Sequence, residues 1–238
     1  MIYNFSLILP CYNEEKNISI LCMEFLQLSF KNIKAELILV NNGSNDNTLN
    51  EIRNEIKKNK SKIVSIKLVN LKRNLGYGGG IAEGLKYASG EYLGWAHADL
   101  QTPLEDFLKL YKLIKHKKMI LGKGYRINNR GFDGIISKFH ENLASIILGF
   151  KMKEVNAQPK IFSKDTMKYF KNIPYKWTTL DTYIVYTCLK NNIEIKTIDV
   201  VFNTRKYGQS KWKNNFISFF NHILFNILYL FKLRFIKD

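Results

Sequence analysis

The segment Glu91-Tyr-Leu-Gly-Trp-Ala-His-Ala-Asp-Leu-Gln101 joins a short apolar run to a polar end. Its apolar part, Tyr92–Ala96, is predicted to form a buried strand. Side chains alternate in direction along an extended chain, so His97 and Asp99 are expected to project to the same side. An imidazole, a carboxylate and the amide oxygen of Gln101 can bind Mn²⁺ or Mg²⁺ if phosphate oxygens complete the coordination shell. The alternative role for Asp99 is to cap the helix that follows.

Upstream of this segment, apolar runs typical of strands alternate with helical patterns. Strands are predicted at Phe5–Leu9, Glu36–Val40 and Ile63–Val69, and helices at Glu14–Phe30, after Asn45 or Asp46, and at Ile81–Ala88. This alternation predicts an α/β fold with a Rossmann-like, mainly parallel sheet flanked by helices. Such sheets bind ligands at the carboxyl ends of their strands. The polar clusters Asn41-Asn42, Asn74–Gly80 and His97–Gln101 all fall there.

The second half of the chain is less regular. A basic loop is predicted at Gly124–Gly134, helices at Ile135–Leu148, Thr178–Lys190 and Asn215–Phe231, strands at Lys160–Phe162 and Ile193–Val201, and a second basic loop at Arg205–Trp212. The last helix is strongly apolar and carries its polar residues Asn215, Ser218, His222 and Asn226 on one stripe. We therefore divide the chain into an α/β domain at 1–212 and a C-terminal apolar helix at 213–238.

Composition limits the class of protein and its partners. The 238 residues include 37 Lys and Arg against 20 Asp and Glu, a net charge of +17. Such a charge attracts nucleic acid, an anionic membrane or phosphorylated substrates, although a general abundance of lysine explains it equally well. No helix-turn-helix or aromatic RNA-binding motif is recognisable, so a nucleic-acid partner is not expected. Three cysteines without metal-like spacing and an N-terminus without a basic leader predict a cytoplasmic protein.

Three further motifs each admit two interpretations. Gly76-Tyr-Gly-Gly-Gly80 lacks the Walker and dinucleotide-binding patterns, so its glycines serve close ligand approach or tight helix packing. Asp181, early in a predicted helix, is a partner of the helix dipole or a general base. Arg205–Lys211 is a solvated basic loop or a clamp for a diphosphate.

Together, these motifs resemble family 2 glycosyltransferases of the GT-A fold, in particular the polyprenyl-phosphate hexosyltransferases. The resemblance is carried by Leu9-Pro10-Cys11-Tyr12-Asn13-Glu14, Val40-Asn41-Asn42-Gly43-Ser44-Asn45-Asp46, Asn74-Leu75-Gly76, His97-Ala98-Asp99-Leu100-Gln101 and Arg205-x-x-Gly208-x-Ser210-Lys211. It implies that a nucleotide-sugar donor is bound by Pro10, Tyr12, Asn13, Glu14, Asn42, Gly43, Ser44, Asn74, Gly76, Gly80, Ala98, Asp99, Arg126, Arg205, Ser210 and Lys211. It also implies a divalent cation, Mn²⁺ or Mg²⁺, at His97, Asp99 and Gln101.

We expect an inverting displacement, with Asp99, Asp181 and Arg205 as the candidate catalytic residues and with Asp181 acting as a base only if the acceptor is a sugar hydroxyl. The sequence departs from the family pattern at two places, and each departure removes carboxylates. Asn41-Asn42 replaces the usual Asp-Asp, and His97 replaces the first Asp of the metal motif. An Asn amide both donates and accepts hydrogen bonds, so Asn42 can still hold a base. A protein that binds nucleotide sugars but has lost catalysis is therefore the alternative function.

The acceptor implied by the resemblance is a polyprenyl phosphate or a glycan intermediate of the cell envelope. A lipid phosphate needs no general base, whereas a sugar hydroxyl would require one, for which Asp181 is the candidate. We expect residues 214–231 to lie on the inner face of the cytoplasmic membrane without spanning it. The alternative is that this helix packs on the domain core or on a second subunit of a homo-oligomer.

Overall fold

The computed structural model of the protein describes residues 3–28, 30, 32–128, 131–171, 173–174, 179–205 and 216–235. The strands are β1 (Phe5–Cys11), β2 (Ala35–Asn42), β3 (Val64–Leu71), β4 (Tyr92–Trp95), β5 (Ile120–Arg126), β6 (Lys160–Ser163) and β7 (Glu194–Val200). The helices are α1 (Glu15–Gln27), α2 (Thr48–Lys58), α3 (Gly76–Leu85), α4 (Leu104–Ile114), α5 (Phe132–Leu148), α6 (Thr179–Lys190) and α7 (Phe216–Phe235), with a 3-10 helix at Lys164–Tyr169.

The strands form one sheet with the order β3-β2-β1-β4-β6-β5-β7. Strands β3, β2, β1 and β4 are parallel to one another, and β5 is parallel to β7. Strand β6 runs antiparallel to both of its neighbours, β4 and β5. The predicted α/β fold with a mainly parallel sheet is confirmed.

Helices cover both faces of the sheet because its central strands are apolar on both sides. Along β1, Phe5, Leu7 and Leu9 point into one buried cluster, together with Phe25 of α1. Ile8 points the opposite way, into a second cluster that includes residues of α3, α5, α6 and α7. The alternation of a strand thus divides the core into two layers and leaves the strand ends to carry polar groups.

The amino-terminal edge of the sheet is held by a buried carboxylate. Glu36 is fully buried and accepts hydrogen bonds from Ser6 Oγ and from the backbone N–H and hydroxyl of Ser89. It is also ion-paired with Lys67 on the neighbouring strand. Burial alone would raise the pKa of Glu36, but these hydrogen bonds outweigh it and lower the pKa. This edge is therefore structural, and it lies opposite the predicted ligand-binding edge.

The helix predicted at Ile81–Ala88 begins earlier than expected, because Gly76–Gly80 form the first turns of α3. Packing explains the difference. A Cβ on Gly80 would lie 3.0 Å from Pro10 Cβ, and one on Gly84 would lie 2.5 Å from Ile8 Cγ2. The glycines allow α3 to approach β1 and β2 closely, and this tertiary packing overrides their low helix propensity.

The predicted basic loop at Gly124–Gly134 is also wrong in its first part, since strand β5 extends to Arg126 and α5 begins at Phe132. The run Ile120–Arg126 contains two glycines, which made it resemble a loop. Gly124 faces the backbone of the neighbouring chain segment, and a Cβ there would lie 2.3 Å from the Gln158 carbonyl oxygen. The strand needs glycine because its neighbour lies so close.

The C-terminal helix packs on the rest of the protein. Leu230 and Leu233 of α7 are buried in the core, and Arg234 Nη1 donates a hydrogen bond to the Leu148 carbonyl oxygen at the end of α5. Asn226, one of the residues of the predicted polar stripe, is buried, whereas the apolar Leu228 is 59% exposed. No helix among the described residues is long and apolar enough to cross a membrane. The predicted junction at residues 212 and 213 lies outside the described part of the chain.

Candidate functional site

The loops that follow the carboxyl ends of β1 and β2 are joined to each other by hydrogen bonds. Asn13 Oδ1 accepts a hydrogen bond from the backbone N–H of Asn45 at 2.9 Å, and the Asn13 N–H donates to Ser44 Oγ at 3.1 Å. Asn13 has a φ of 58°, a conformation that asparagine tolerates better than most residues. Glu14 N–H donates to Thr48 Oγ1 at 2.8 Å. The loop after β1, which is predicted to bind the nucleotide, is thus fixed to the loop after β2, for which the same role is predicted.

Asn42 connects these loops to the start of α3. Its Nδ2 donates to the Gly76 carbonyl oxygen at 2.9 Å, and its Oδ1 accepts from the Leu75 N–H at 3.0 Å. A carboxylate could not make the first of these bonds, because it has no hydrogen to donate. Next to it, Gly43 has a φ of +68°, and a Cβ there would lie 2.4 Å from the Arg73 carbonyl carbon. Asn74 Oδ1 accepts from the Gly76 N–H at 2.7 Å.

Asp99 lies after β4 in a tight turn, with Ala98 buried beside it. Its Oδ1 accepts from the Gln101 N–H at 3.1 Å, and Leu100 between them has a φ of 59°. Backbone strain of this kind in an apolar residue is concentrated at functional sites. Asp99 does not cap α4, because that helix begins at Leu104 with Pro103 at its N-cap position and no side-chain cap.

Arg205 contacts both Asp99 and Gln101, although it lies more than a hundred positions further along the chain. Its Nη2 is 3.0 Å from Asp99 Oδ2, and its Nε donates to Gln101 Oε1 at 3.1 Å. Gln101 Nε2 donates to the Asn203 carbonyl oxygen at 2.9 Å, and Asn203 N–H donates to the Gln101 carbonyl oxygen at 2.8 Å. The structure therefore brings the end of β4 and the segment after β7 together around one buried carboxylate.

His97 is surrounded by aromatic side chains, unlike Asp99, which is paired with Arg205. Its ring stacks on Tyr77 with centroids 5.1 Å apart and an interplanar angle of 24°, and it meets Phe202 edge-on at 6.3 Å. Burial lowers the pKa of His97, and the negative charges of Asp99 and Asp181 oppose this shift. A metal-binding role for His97 stays a prediction.

Asp181 is held inside the protein. It is 2% exposed, and its Oδ1 is 2.7 Å from Nζ of the fully buried Lys160. Gln158 Nε2 lies 3.2 Å from the same carboxylate and donates to the Tyr77 hydroxyl at 2.7 Å. Burial lowers the pKa of Lys160, and Asp181 opposes that effect. The carboxylate is thus committed to an ion pair within the core.

Arg126 ends β5 and is ion-paired with Glu154, with its side chain only 5% exposed. Its Nη2 is buried without a hydrogen-bond partner among the described residues. Nearby, Lys123 Nζ donates to the Glu154 carbonyl oxygen at 2.9 Å, and burial lowers the pKa of Lys123 to about 7. The remaining predicted donor-binding residues of the second half, Ser210 and Lys211, lie outside the described residues.

The charges of Asp99 and Arg205 both affect the pKa of Glu14. Burial raises the pKa of Glu14 to about 7; the hydrogen bond from Asn17 lowers it, Asp99 raises it and Arg205 lowers it. Glu14 Oε2 accepts that hydrogen bond from Asn17 Nδ2 at 2.5 Å. Pro10 and Tyr12, on the same segment, are half-buried at this edge of the sheet.

The oxygen atoms at this edge fit a divalent cation that arrives with a phosphate ligand. Among the described residues, no group of three or more His, Cys, Asp and Glu side chains could hold a metal by itself. Asp99 and Gln101 offer a carboxylate and an amide oxygen in one turn, and such hard oxygen ligands suit Mg²⁺ or Mn²⁺. A nucleoside diphosphate would have to supply further ligands.

Sequence reasoning missed Tyr77, Gln158 and Lys160. Tyr77 is the only large side chain in the run Gly76–Gly80, which was a signal that it fills a specific space. Gln158 and Lys160 had no comparable signal, because their partners lie far away in the sequence. A buried lysine is recognisable only once its carboxylate partner is located.

Comparisons with known proteins show the family and the fold of the chain. The family model described as glycosyl transferase family 2 matches residues 6–179. The chain is 26% identical to an uncharacterized glycosyltransferase of Synechocystis over 89% of its length, and 27% identical to a dolichyl-phosphate beta-glucosyltransferase of Dictyostelium discoideum over 82%. It spans 65% of the length of each of these two relatives.

A similar fold is found in the crystal structure of glucosyl-3-phosphoglycerate synthase from Mycobacterium tuberculosis in complex with Mn²⁺, UDP and glucosyl-3-phosphoglycerate. The TM-score is 0.70 at 16% sequence identity, and the match covers 99% of this chain and 81% of that chain. At this identity, the match shows the fold alone.

Proposed function

Because the chain belongs to glycosyl transferase family 2, we propose that it transfers a hexose from a nucleotide-diphosphate sugar to a polyprenyl phosphate. The observation that carries this proposal is the contact of Arg205 with Asp99 and Gln101 at the carboxyl edge of the sheet. That contact brings together a carboxylate and a guanidinium, to which we assign the metal and the phosphate, respectively. The name of the Dictyostelium relative supports a lipid-phosphate acceptor.

The donor's nucleotide lies across the ends of β1 and β2 in this proposal. Asn13 and Ser44 hold the two loops together, and Asn42 anchors them to α3. With its amide committed to the backbone of residues 75 and 76, Asn42 shapes the base and ribose pocket. The turn at Gly43 lets the backbone approach the nucleotide closely.

Asp99 and Gln101 would hold the divalent cation, which when bound supplies positive charge to the diphosphate of the donor. Arg205 then exchanges partners: it leaves Asp99 and pairs with the diphosphate, for which a guanidinium is geometrically suited. Both contacts of Arg205 are with side chains of the proposed metal site, so the exchange couples donor binding to the opening of that site.

The proposed reaction is a single inverting displacement. A phosphate oxygen of the acceptor forms a bond to the anomeric carbon, the bond from that carbon to the donor diphosphate breaks, and the nucleoside diphosphate leaves with the electron pair. Arg205 stabilises the negative charge that develops on the leaving group.

The environment of Asp181 favours an acceptor that is already ionised. A sugar hydroxyl would need a general base within hydrogen-bond reach. Asp181, the predicted candidate, is 2% exposed and ion-paired with Lys160 at 2.7 Å. A phosphate monoester oxygen carries its negative charge before it reacts and needs no such base. This contrast supports a lipid phosphate over a glycan hydroxyl.

A lipid acceptor requires the protein to reach a membrane surface, which we place at the cytoplasmic inner face. Helices α5 and α7 pack together through the contact of Arg234 with Leu148 and expose several large apolar side chains. These are Ile135, Phe139 and Ile146 on α5, and Leu224, Leu228, Phe231 and Phe235 on α7. The exposed cations Lys138 and Lys232 lie among them and favour anionic lipid. The contact is peripheral.

A panel of nucleotide sugars tests the proposal. The free energy of unfolding should rise with one donor class in the presence of Mn²⁺, by about 2.7 kcal/mol at a hundredfold excess over Kd. The same donor should yield a glycosylated polyprenyl phosphate of inverted anomeric configuration. Donor binding without any transfer or donor hydrolysis would instead establish the alternative, a nucleotide-sugar-binding protein without catalysis. The departures at Asn42 and His97 make that outcome worth testing.

A further inference from the structure

A stacked pair of aromatic rings, Tyr77 and His97, stands beside Asp99 at the carboxyl edge of the sheet. The ring planes are inclined by 24° with centroids 5.1 Å apart, and Phe202 contacts the His97 ring edge-on at 6.3 Å. Offset stacking of this kind is a favourable arrangement of aromatic rings. The His97 ring cannot turn away from this position without losing both contacts.

The orientation of Tyr77 is set from inside the core. Its hydroxyl accepts a hydrogen bond from Gln158 Nε2 at 2.7 Å, and the same amide group lies 3.2 Å from Asp181 Oδ1. Gln158 is fully buried, and Asp181 is fixed by its ion pair with Lys160. A chain of contacts therefore runs from the buried ion pair through Gln158 to Tyr77 and then to His97.

The two ends of this series of side-chain contacts differ in their exposure to solvent. Lys160, Gln158 and Asp181 are buried, whereas Tyr77 and His97 are only half-buried. The buried end resists movement because breaking the ion pair would leave an uncompensated charge in the core. The half-buried end can meet a ligand. This is the arrangement expected of a supported binding contact, in which packing and hydrogen bonds in the core lock the rotamer of the group that touches the ligand.

We propose that Tyr77 and Gln158 are positioning residues that hold the His97 ring against the bound nucleotide sugar, where a ring nitrogen hydrogen-bonds to a hydroxyl group of that donor. The proposal rests on the proposed function, in which the protein binds a nucleotide-sugar donor. It accounts for histidine at this position: a carboxylate over the face of Tyr77 would meet the negative side of the ring quadrupole, whereas an imidazole stacks on it. A neutral imidazole also supplies one N–H donor and one acceptor nitrogen.

The test is a double-mutant cycle on donor affinity, measured by calorimetry with Mn²⁺ present. His97→Ala and His97→Phe should each weaken donor binding about threefold to tenfold, as loss of one hydrogen bond does. Tyr77→Phe, which keeps the ring but loses the bond from Gln158, should weaken binding in the wild-type background. It should have less than a twofold effect in the His97→Ala background.

A matched control separates this effect from general destabilisation. Ser6→Ala removes a buried hydrogen bond to Glu36 at the opposite edge of the sheet, and it should leave donor affinity unchanged. Binding of the nucleoside diphosphate alone locates the contact. If His97→Ala weakens that ligand too, the contacted hydroxyl is on the ribose; if only the complete donor is affected, it is on the transferred sugar. Either result supports the proposal.

Two results would overturn it. Additive effects of Tyr77→Phe and His97→Ala would show that Tyr77 does not act through His97. Wild-type affinity in His97→Phe would show that the ring nitrogens make no contact with the donor. Failure of the wild-type protein to bind any nucleotide sugar would be a separate result, directed at the proposed function itself.

Discussion

Arg205→Ala should change the affinities for metal and for nucleotide in opposite directions. In the protein without a donor, Arg205 Nη2 is 3.0 Å from Asp99 Oδ2 and therefore competes with a cation for that oxygen. Removing the guanidinium frees the carboxylate, so Mn²⁺ should bind more tightly in the absence of nucleotide. The nucleoside diphosphate should bind more weakly, because its clamp is lost.

The magnitude follows from the interaction that is removed. A hydrogen bond to a charged group contributes about 1.5–3 kcal/mol, and about 1.36 kcal/mol corresponds to a tenfold change in an equilibrium constant. The gain in Mn²⁺ affinity should therefore be roughly tenfold to 150-fold. Arg205 is 33% exposed, so solvent screening places the expected value toward the lower end.

Calorimetry or the electron paramagnetic resonance signal of free Mn²⁺ measures this affinity directly. Arg205→Ala combined with Asp99→Asn is the control, and it should bind Mn²⁺ no better than the wild type. Arg205 does not compete with the cation for Asp99 if Arg205→Ala leaves the Mn²⁺ affinity unchanged, or if the variant loses affinity for metal and nucleotide together. Equal losses for nucleoside and nucleoside diphosphate would place Arg205 outside the diphosphate site.

Three further predictions concern the core, the acceptor and the membrane. The pKa of Glu36 is lower in the folded than in the unfolded protein, so ionised Glu36 stabilises the fold above the unfolded pKa, and this stabilisation is lost as the pH falls through the folded pKa. Glu36→Gln should therefore lower the free energy of unfolding, measured by urea titration at pH 7, by about 1–3 kcal/mol. In acid, the difference between the variant and the wild type should vanish. Asp181→Asn combined with Lys160→Met should keep kcat for transfer to polyprenyl phosphate within about tenfold of wild type, whereas loss of a general base would cost about 100-fold to 10,000-fold. Leu228→Glu should reduce flotation with anionic liposomes, while Ile63→Glu, an exposed apolar position before β3, should not; equal flotation of both variants would argue against a membrane contact through α7.

Much of the fold can be predicted from the sequence because its first half repeats one simple pattern. The strands that became β1 to β4 are short apolar runs, and polar residues follow each of β1, β2 and β4 at the same edge of the sheet. That local pattern is sufficient to place Asn42 and Asp99 at the same edge of the sheet. The motif around Arg205 also indicated a phosphate-binding role without showing its partner.

The errors arose where distant contacts override local preference. Strand β5 was missed because its glycines, required by the close approach of the Gln158 backbone, are typical of a loop. Helix α3 begins within a glycine run because packing on β1 demands it. In α7, Asn226 faces the protein and Leu228 faces outward, the reverse of what solubility alone would predict.

Contacts across the chain could not be predicted from spacing. The pairing of Asp181 with Lys160 and the bond from Gln158 to Tyr77 depend on how β6 enters the sheet antiparallel to β4. No periodic signal specifies that arrangement. Asp181, predicted as a candidate general base, is found in a buried ion pair with Lys160, and nothing in its local sequence indicates that partner.

In our proposal, nucleotide-sugar transfer at this edge of the sheet depends on Asp99. Transfer of a labelled hexose to a polyprenyl phosphate should be compared between the wild type and Asp99→Asn at matched Mn²⁺ concentration. We expect transfer by the wild type and a loss of at least about 100-fold in the variant, as removal of a principal charge-stabilising group causes. The variant should still be folded, because Asp99 lies in a turn after β4 and caps no helix. Wild-type turnover in Asp99→Asn would show that Asp99 has no role in the transfer reaction.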